Sequence, residues 1–133
     1  DITLKALQKR NRSSPETVSY ILDYLRNASL YETVSTEKND FLLVHAGLGN
    51  FDKDKKLSRY PADDFLWTWP ELSDKYFDDV ITVFGHTPTM SYGKEYTGKI
   101  LKTRTWIDID VGVAYGQKPA LLRLDDLQEL YYG

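Results

Sequence analysis

At 133 residues, with 41% of them hydrophobic and 14% aromatic, the chain is one domain in size and globular in composition, its apolar share slightly low. A formal net charge of -3 and a pI near 5.3 leave no basic stripe to neutralise a phosphate backbone, which argues against nucleic acid as a partner. The absence of cysteine excludes a disulfide framework, a thiolate metal site and a cysteine nucleophile, so any metal must be held by His, Asp, Glu or Asn.

In chain order, residues 2–11 read as a short, weakly amphipathic helix carrying Ile2, Leu4, Ala6 and Leu7. Ser14-Pro15 sets an N-cap and a proline at the first helical position. Val18, Ile21, Leu22 and Leu25 follow at helical spacing, predicting an amphipathic helix over 15–27 with one buried stripe. Leu30 to Thr36 alternates as a strand, 37–40 is a turn, and Phe41 to Val44 is a continuous apolar strand buried on both faces. A charged loop covers 49–60, and Ala62 to Glu71 is a short helix or turn expected to pack Phe65, Leu66, Trp67 and Trp69 inward. Val80 to Phe84 is a second buried strand, 91–99 a Gly- and Tyr-rich loop, and Trp106 to Asp110 a strand. Gly112 and Gly116 bracket a turn, and Ala120 to Leu124 and Leu127 to Tyr132 are strands joined at Asp125-Asp126. Helices first and strands after give an α+β or α/β expectation with a mixed sheet. No apolar run approaches the ~20 residues that cross a bilayer and no signal peptide leads the chain, so no membrane partner and a cytoplasmic location are expected. The start at Asp1, without Met, sets the expectation of a chain cut from something longer.

Both histidines, His45 and His86, stand at the carboxyl end of a buried strand beside glycine: Val44-His45-Ala46-Gly47 and Phe84-Gly85-His86-Thr87. Loops at such strand ends converge on ligands, and glycine lets the backbone turn sharply and approach a bound group. Imidazole is a good divalent-metal ligand. A histidine at a strand end is also commonly a hydrogen-bonded loop residue, and two imidazoles do not close a site that wants three or four protein ligands.

The segments FLLVHAGL at 41–48, VFGHTPT at 83–89 and IDIDVGVAYGQKPALLRLDDLQELYY at 107–132, in this order and spacing, resemble the last motifs of the calcineurin-like metallophosphoesterases. The likeness is to their phosphoprotein-phosphatase (serine/threonine phosphatase) branch, bacterial type, and it covers nearly the whole chain. It implies an α+β fold, the carboxy-terminal part of a two-sheet β-sandwich flanked by helices, so that 1–133 is one part of a single domain. It implies hydrolysis of phosphate esters at two divalent ions (Mn, Fe, Zn, Ni or Mg), with His45 and His86 as ligands of the second ion. By the same resemblance Tyr115 lines the substrate site. The family's earlier motifs, GDxH, GDxxDRG and GNHE, do not occur here; they bring the first metal's ligands, the bridging Asp, an Asn, a general-acid His and a phosphate-gripping Arg. Relatives often carry LWxR where this chain reads Leu66-Trp67-Thr68-Trp69, leaving Arg59 and Arg104 as open candidates for that grip.

These readings imply a phosphatase completed by a missing amino-terminal half, acting on a phosphorylated protein or a small phosphate ester, and inactive as this chain alone. The alternatives are a catalytically inactive module that binds a partner through its loops and a core-only fragment. Loss of half the core would bare Leu42, Val44, Ile81 and Val83, so self-association, or binding of the missing half, is expected.

Overall fold

The structure, a computed structural model, describes residues 14–133; the helix expected at 2–11 lies outside them. Helix α1, Pro15–Arg26, begins where the sequence signals it. The Ser14 hydroxyl accepts the Thr17 N–H at 3.3 Å and Pro15 occupies a position whose N–H would have no helical partner. Its apolar stripe departs from expectation. No residue of α1 is buried: Val18, Ile21 and Leu22 are half-covered and Leu25 is 56% exposed. The spacing is helical, but the stripe is only partly covered.

Five strands form one mixed sheet: β1 (Tyr31–Ser35), β2 (Asp40–Val44), β3 (Val80–Phe84), β4 (Leu101–Lys102) and β5 (Trp106–Asp108), in the order β1-β2-β3-β5-β4. The central pairs β2–β3 and β3–β5 are parallel and the outer pairs antiparallel. β1 and β2 join through a tight turn in which the Thr36 N–H and hydroxyl both donate to the Asn39 carbonyl. The strands β6 (Ala120–Arg123) and β7 (Gln128–Tyr131) pair antiparallel as a separate two-stranded sheet. The fold is therefore mixed α+β.

Strand side chains alternate between faces, and both faces of the large sheet are covered. On one, Leu42, Phe84 and Trp106 pack with Leu101 of β4 and with Leu48, Tyr60, Phe65 and Tyr76, carried by the 45–79 connection and its short helix α2 (Ala62–Leu66). On the other, Phe41, Val83 and Ile107 pack with Ile100 and Val111 beneath Leu122, Leu124 and Leu127 of the β6–β7 region. The expected bare faces are thus not bare: Leu42 is 1% and Val83 6% exposed, and Val44 and Ile81 are partly buried. The 45–79 connection and the hairpin supply the cover that the sequence reading assigned to missing strands. With each large side chain buried worth ~1.5–3 kcal/mol, self-association through these faces loses its driving force.

A second expectation fails at α2. Phe65 turns inward, but Trp67 and Trp69 are 66% and 62% exposed, because the helix ends at Leu66 and the extended chain after it points alternate side chains outward.

Candidate metal centre

Parallel pairing brings the histidines together. Since β2 and β3 run the same way, their carboxyl ends lie at one edge of the sheet, and the register Leu43↔Val83 sets His45 beside Gly85. The Gly85 N–H donates to the His45 carbonyl at 3.0 Å, extending the ladder one step beyond the strands. Beyond His45 the chain is held from two sides. The Ala46 N–H donates to the Phe65 carbonyl at 2.9 Å and the Leu48 N–H to the Tyr76 hydroxyl at 3.2 Å. Burial pushes the Tyr76 phenol up to about 12, so it remains a neutral hydroxyl there. Gly47 between them has φ 96, and a Cβ on it would stand 2.8 Å from the Tyr76 hydroxyl and 2.9 Å from Pro70. Glycine is required at that position for both reasons.

The two histidine loops differ in how they turn. Gly85 has no positive φ and space around it; His86 itself is left-handed, with φ 68. The Thr87 N–H donates to the Gly85 carbonyl at 2.7 Å. A bond between residues two apart across a central residue of positive φ is a γ-turn of the rarer, strained handedness. Such backbone costs of order 1–3 kcal/mol and persists only where its surroundings over-determine it. The strain falls on the residue whose side chain enters the candidate site.

His45 Nε2 and His86 Nδ1 lie 3.1 Å apart, with ring centroids 4.8 Å apart and planes inclined at 57°. Two nitrogens bound at ~2.1 Å to one octahedral or tetrahedral ion stand about 3.0–3.4 Å apart, so the pair fits two ligands of a single ion. The same distance fits one imidazole donating a proton to the other. Burial, and secondarily the neighbouring His45, hold the His86 pKa below its ordinary value, while Asp110 works in the opposite sense. Its ring is therefore neutral at pH 7, the form that ligates. Among the described residues no group of three or more His, Asp or Glu gathers to hold a metal. The pair fits part of a coordination sphere and does not close one.

His86 is flanked by two residues of the Leu66-Trp67-Thr68-Trp69 segment. Trp67 and Trp69 present their rings near-perpendicular to the imidazole, with centroids at 5.7 and 6.0 Å. Hydrophobicity counted them as core, while the resemblance already set Trp69 in the place of a site arginine. Tyr115 lies on the turn Val113–Tyr115 between left-handed Gly112 and Gly116, 65% exposed. That turn follows β5, which runs parallel to β3, but no hydrogen bond or ring packing among the described residues joins Tyr115 to either histidine. Of the arginine candidates, Arg104 precedes β5, near the start of β3, where the Thr82 N–H meets the Thr105 carbonyl. It pairs with Asp78 at the sheet edge opposite the histidines. Arg59 is exposed on the single turn Leu57–Arg59.

No protein-family model matches the chain, and none of the curated proteins matches it significantly.

Proposed function

We propose that this chain is the carboxy-terminal half of a metal-dependent phosphatase of the calcineurin-like type, hydrolysing phosphate monoesters of a protein or a small molecule. His45 and His86 are two ligands of one of its two divalent ions. In this reading the five-stranded sheet and the β6–β7 hairpin packed on it belong to the two layers of the family's β-sandwich, which the amino-terminal half extends. The observation that carries it is the 3.1 Å approach of two imidazole nitrogens from separate strand-end loops. It is supported by the strained γ-turn at His86 and by the three resembling segments.

The ions of such a site lower the pKa of a bound water and neutralise charge at phosphorus. This chain's own share is narrower. His45 and His86 offer ring nitrogens from two loops tied to each other through the Gly85–His45 backbone bond. Trp67 and Trp69 stand against one side of His86, at ring-centroid distances of 5.7 and 6.0 Å. With Trp69 where relatives carry arginine, and Arg104 at the far end of the sheet, the phosphate grip falls to the other half.

A second reading, an inactive binding module, draws on the lack of a clustered carboxylate beside the pair among the described residues and on the two exposed indoles. Assay of p-nitrophenyl phosphate with manganese separates the two. The full-length protein containing this chain turns the ester over and loses that activity in His86→Ala, whereas residues 1–133 alone give none. A full-length protein without turnover favours the module. Turnover by the isolated chain would contradict the proposal.

A further inference from the structure

The four residues that follow α2, Trp67-Thr68-Trp69-Pro70, run between the two histidine loops and touch both. Pro70 disfavours a helical conformation at Trp69, which keeps the chain from resuming the helix. Burial alternates along the segment: Thr68 is half-buried and Pro70 buried, while Trp67 and Trp69 are exposed. The two inward residues lie on the loop that follows His45. The Thr68 hydroxyl donates to the Asp64 carbonyl at 2.8 Å, and the same carbonyl accepts the Gly49 N–H at 2.8 Å. A carbonyl has two lone pairs, so one oxygen ties the segment and the loop together. A Cβ on Gly49 would stand 2.6 Å from the Thr68 hydroxyl oxygen and 2.9 Å from Asp64 Oδ1, and one on Gly47 would stand 2.9 Å from Pro70 Cγ. Two glycines of the His45 loop thus admit Thr68 and Pro70 at distances that a Cβ would forbid. The loop is fastened to α2 itself as well: the Ala46 N–H donates to the Phe65 carbonyl at 2.9 Å, and the Asn50 amide donates to Oδ1 of buried Asp64 at 2.8 Å. Trp67 and Trp69 turn the other way, and both rings stand near-perpendicular to the His86 imidazole, within the range of favourable aromatic packing.

We propose that this segment is a strap, anchored on the His45 loop through Thr68 and Pro70, that holds the His86 ring beside His45 through Trp67 and Trp69. Thr68 is its positioning residue. Parallel pairing fixes the backbones of the two loops, through the bond from the Gly85 N–H to the His45 carbonyl, but it leaves the His86 ring free to turn about its side-chain bonds. Among the described residues the rings that meet the His86 imidazole are those of His45, Trp67 and Trp69. Both indoles belong to the strap, and the strap hangs on the loop that carries His45. One imidazole is therefore located relative to the other by the protein itself, before any ion binds. An ion that meets nitrogens already 3.1 Å apart has less side-chain freedom to remove. The description of the held rings as metal ligands rests on the reading above; the strap does not.

The test uses the 133-residue chain with isotope-labelled histidine, first without metal and then titrated with zinc. Thr68→Val keeps the shape of the side chain but cannot donate to the Asp64 carbonyl, and Gly49→Ala sets a methyl group where the strap lies. In both, the NMR contacts of the His86 ring with Trp67 and Trp69 are lost without metal. Zinc binding by both weakens ~10–100-fold, the range typical of groups that orient a ligand. Thr68→Ser, which keeps the hydroxyl, retains the contacts and the affinity. Leu122→Ala thins the cover on the opposite face of the sheet; it lowers the urea midpoint but leaves the His86 contacts and the zinc affinity at their wild-type values. Should Gly49→Ala fail to fold, the contrast between Thr68→Val and Thr68→Ser decides. The proposal is overturned if Thr68→Val keeps the wild-type His86 contacts, if Thr68→Ser loses them, or if Leu122→Ala loses them along with its stability. Metal-free contacts that depend on Thr68 in a chain that binds no zinc would leave the strap standing and remove the metal reading alone.

Discussion

Single residues in this chain show where chemistry overrides pattern. From the sequence, Gly47 and Gly85 looked equivalent beside their histidines, but only Gly47 needs to be glycine, and at the second loop the histidine itself takes the left-handed backbone. Histidine adopts that region more readily than most side chains, a preference that strand and helix periods do not register. Asp108 is the other such residue. Its place within IDID gives a strand, and β5 proves to be buried on both faces. Burial raises the Asp108 pKa from 3.8 to about 8, against the Asp110 N–H, which favours the carboxylate, so the folded protein holds a proton there that the unfolded chain releases near pH 4. The sign of the linkage follows: between about pH 4 and pH 8 the native state binds more protons, and stability falls as pH rises through that window. Urea unfolding at pH 5 and at pH 8 is expected to show the wild type losing stability relative to Asp108→Asn, whose side chain does not titrate. Parallel pH profiles for the two proteins would mean that Asp108 is ionised in the fold.

Elements were legible to the extent that their own residues dictate them. The apolar runs 41–44 and 80–84 are β2 and β3 to within a residue, because strands buried on both faces need continuous apolar sequence. β4 was not foreseen: two residues, Leu101 and Lys102, carry no period and are a strand only because β5 lies alongside. For α1 the reverse holds. Its capping and period are clear, but its stripe has little to pack against, so it is an element by local propensity more than by burial. Ile21→Pro is therefore expected to remove the helical circular-dichroism signal of α1 while leaving the midpoint of global unfolding nearly unchanged. A proline inside a helix costs ~3 kcal/mol or more, and a global loss of that size would show that α1 is covered by contacts the described residues do not include. The fate of Trp67 and Trp69 has the same lesson. Hydrophobicity alone put them in the core, whereas the end of α2 at Leu66 put them beside His86.

For the whole molecule, two layers of cover on a mixed sheet leave one edge where both histidine loops emerge, and that edge follows from topology. A sequence shows that two strands end in histidine; it does not show that the strands are neighbours and parallel, which is what reduces a separation of 41 residues to 3.1 Å. No helix among the described residues is long and apolar enough to cross a membrane. The account stands or falls on whether the two imidazoles bind one ion together. Titration of the 133-residue chain with zinc, followed through the histidine ring nitrogens by NMR, tests this directly. The account predicts that one equivalent shifts His45 Nε2 and His86 Nδ1 in concert, and that His45→Ala and His86→Ala each abolish the shift of the remaining ring. Independent responses of the two rings, or a wild-type chain whose imidazoles ignore the metal, would contradict it.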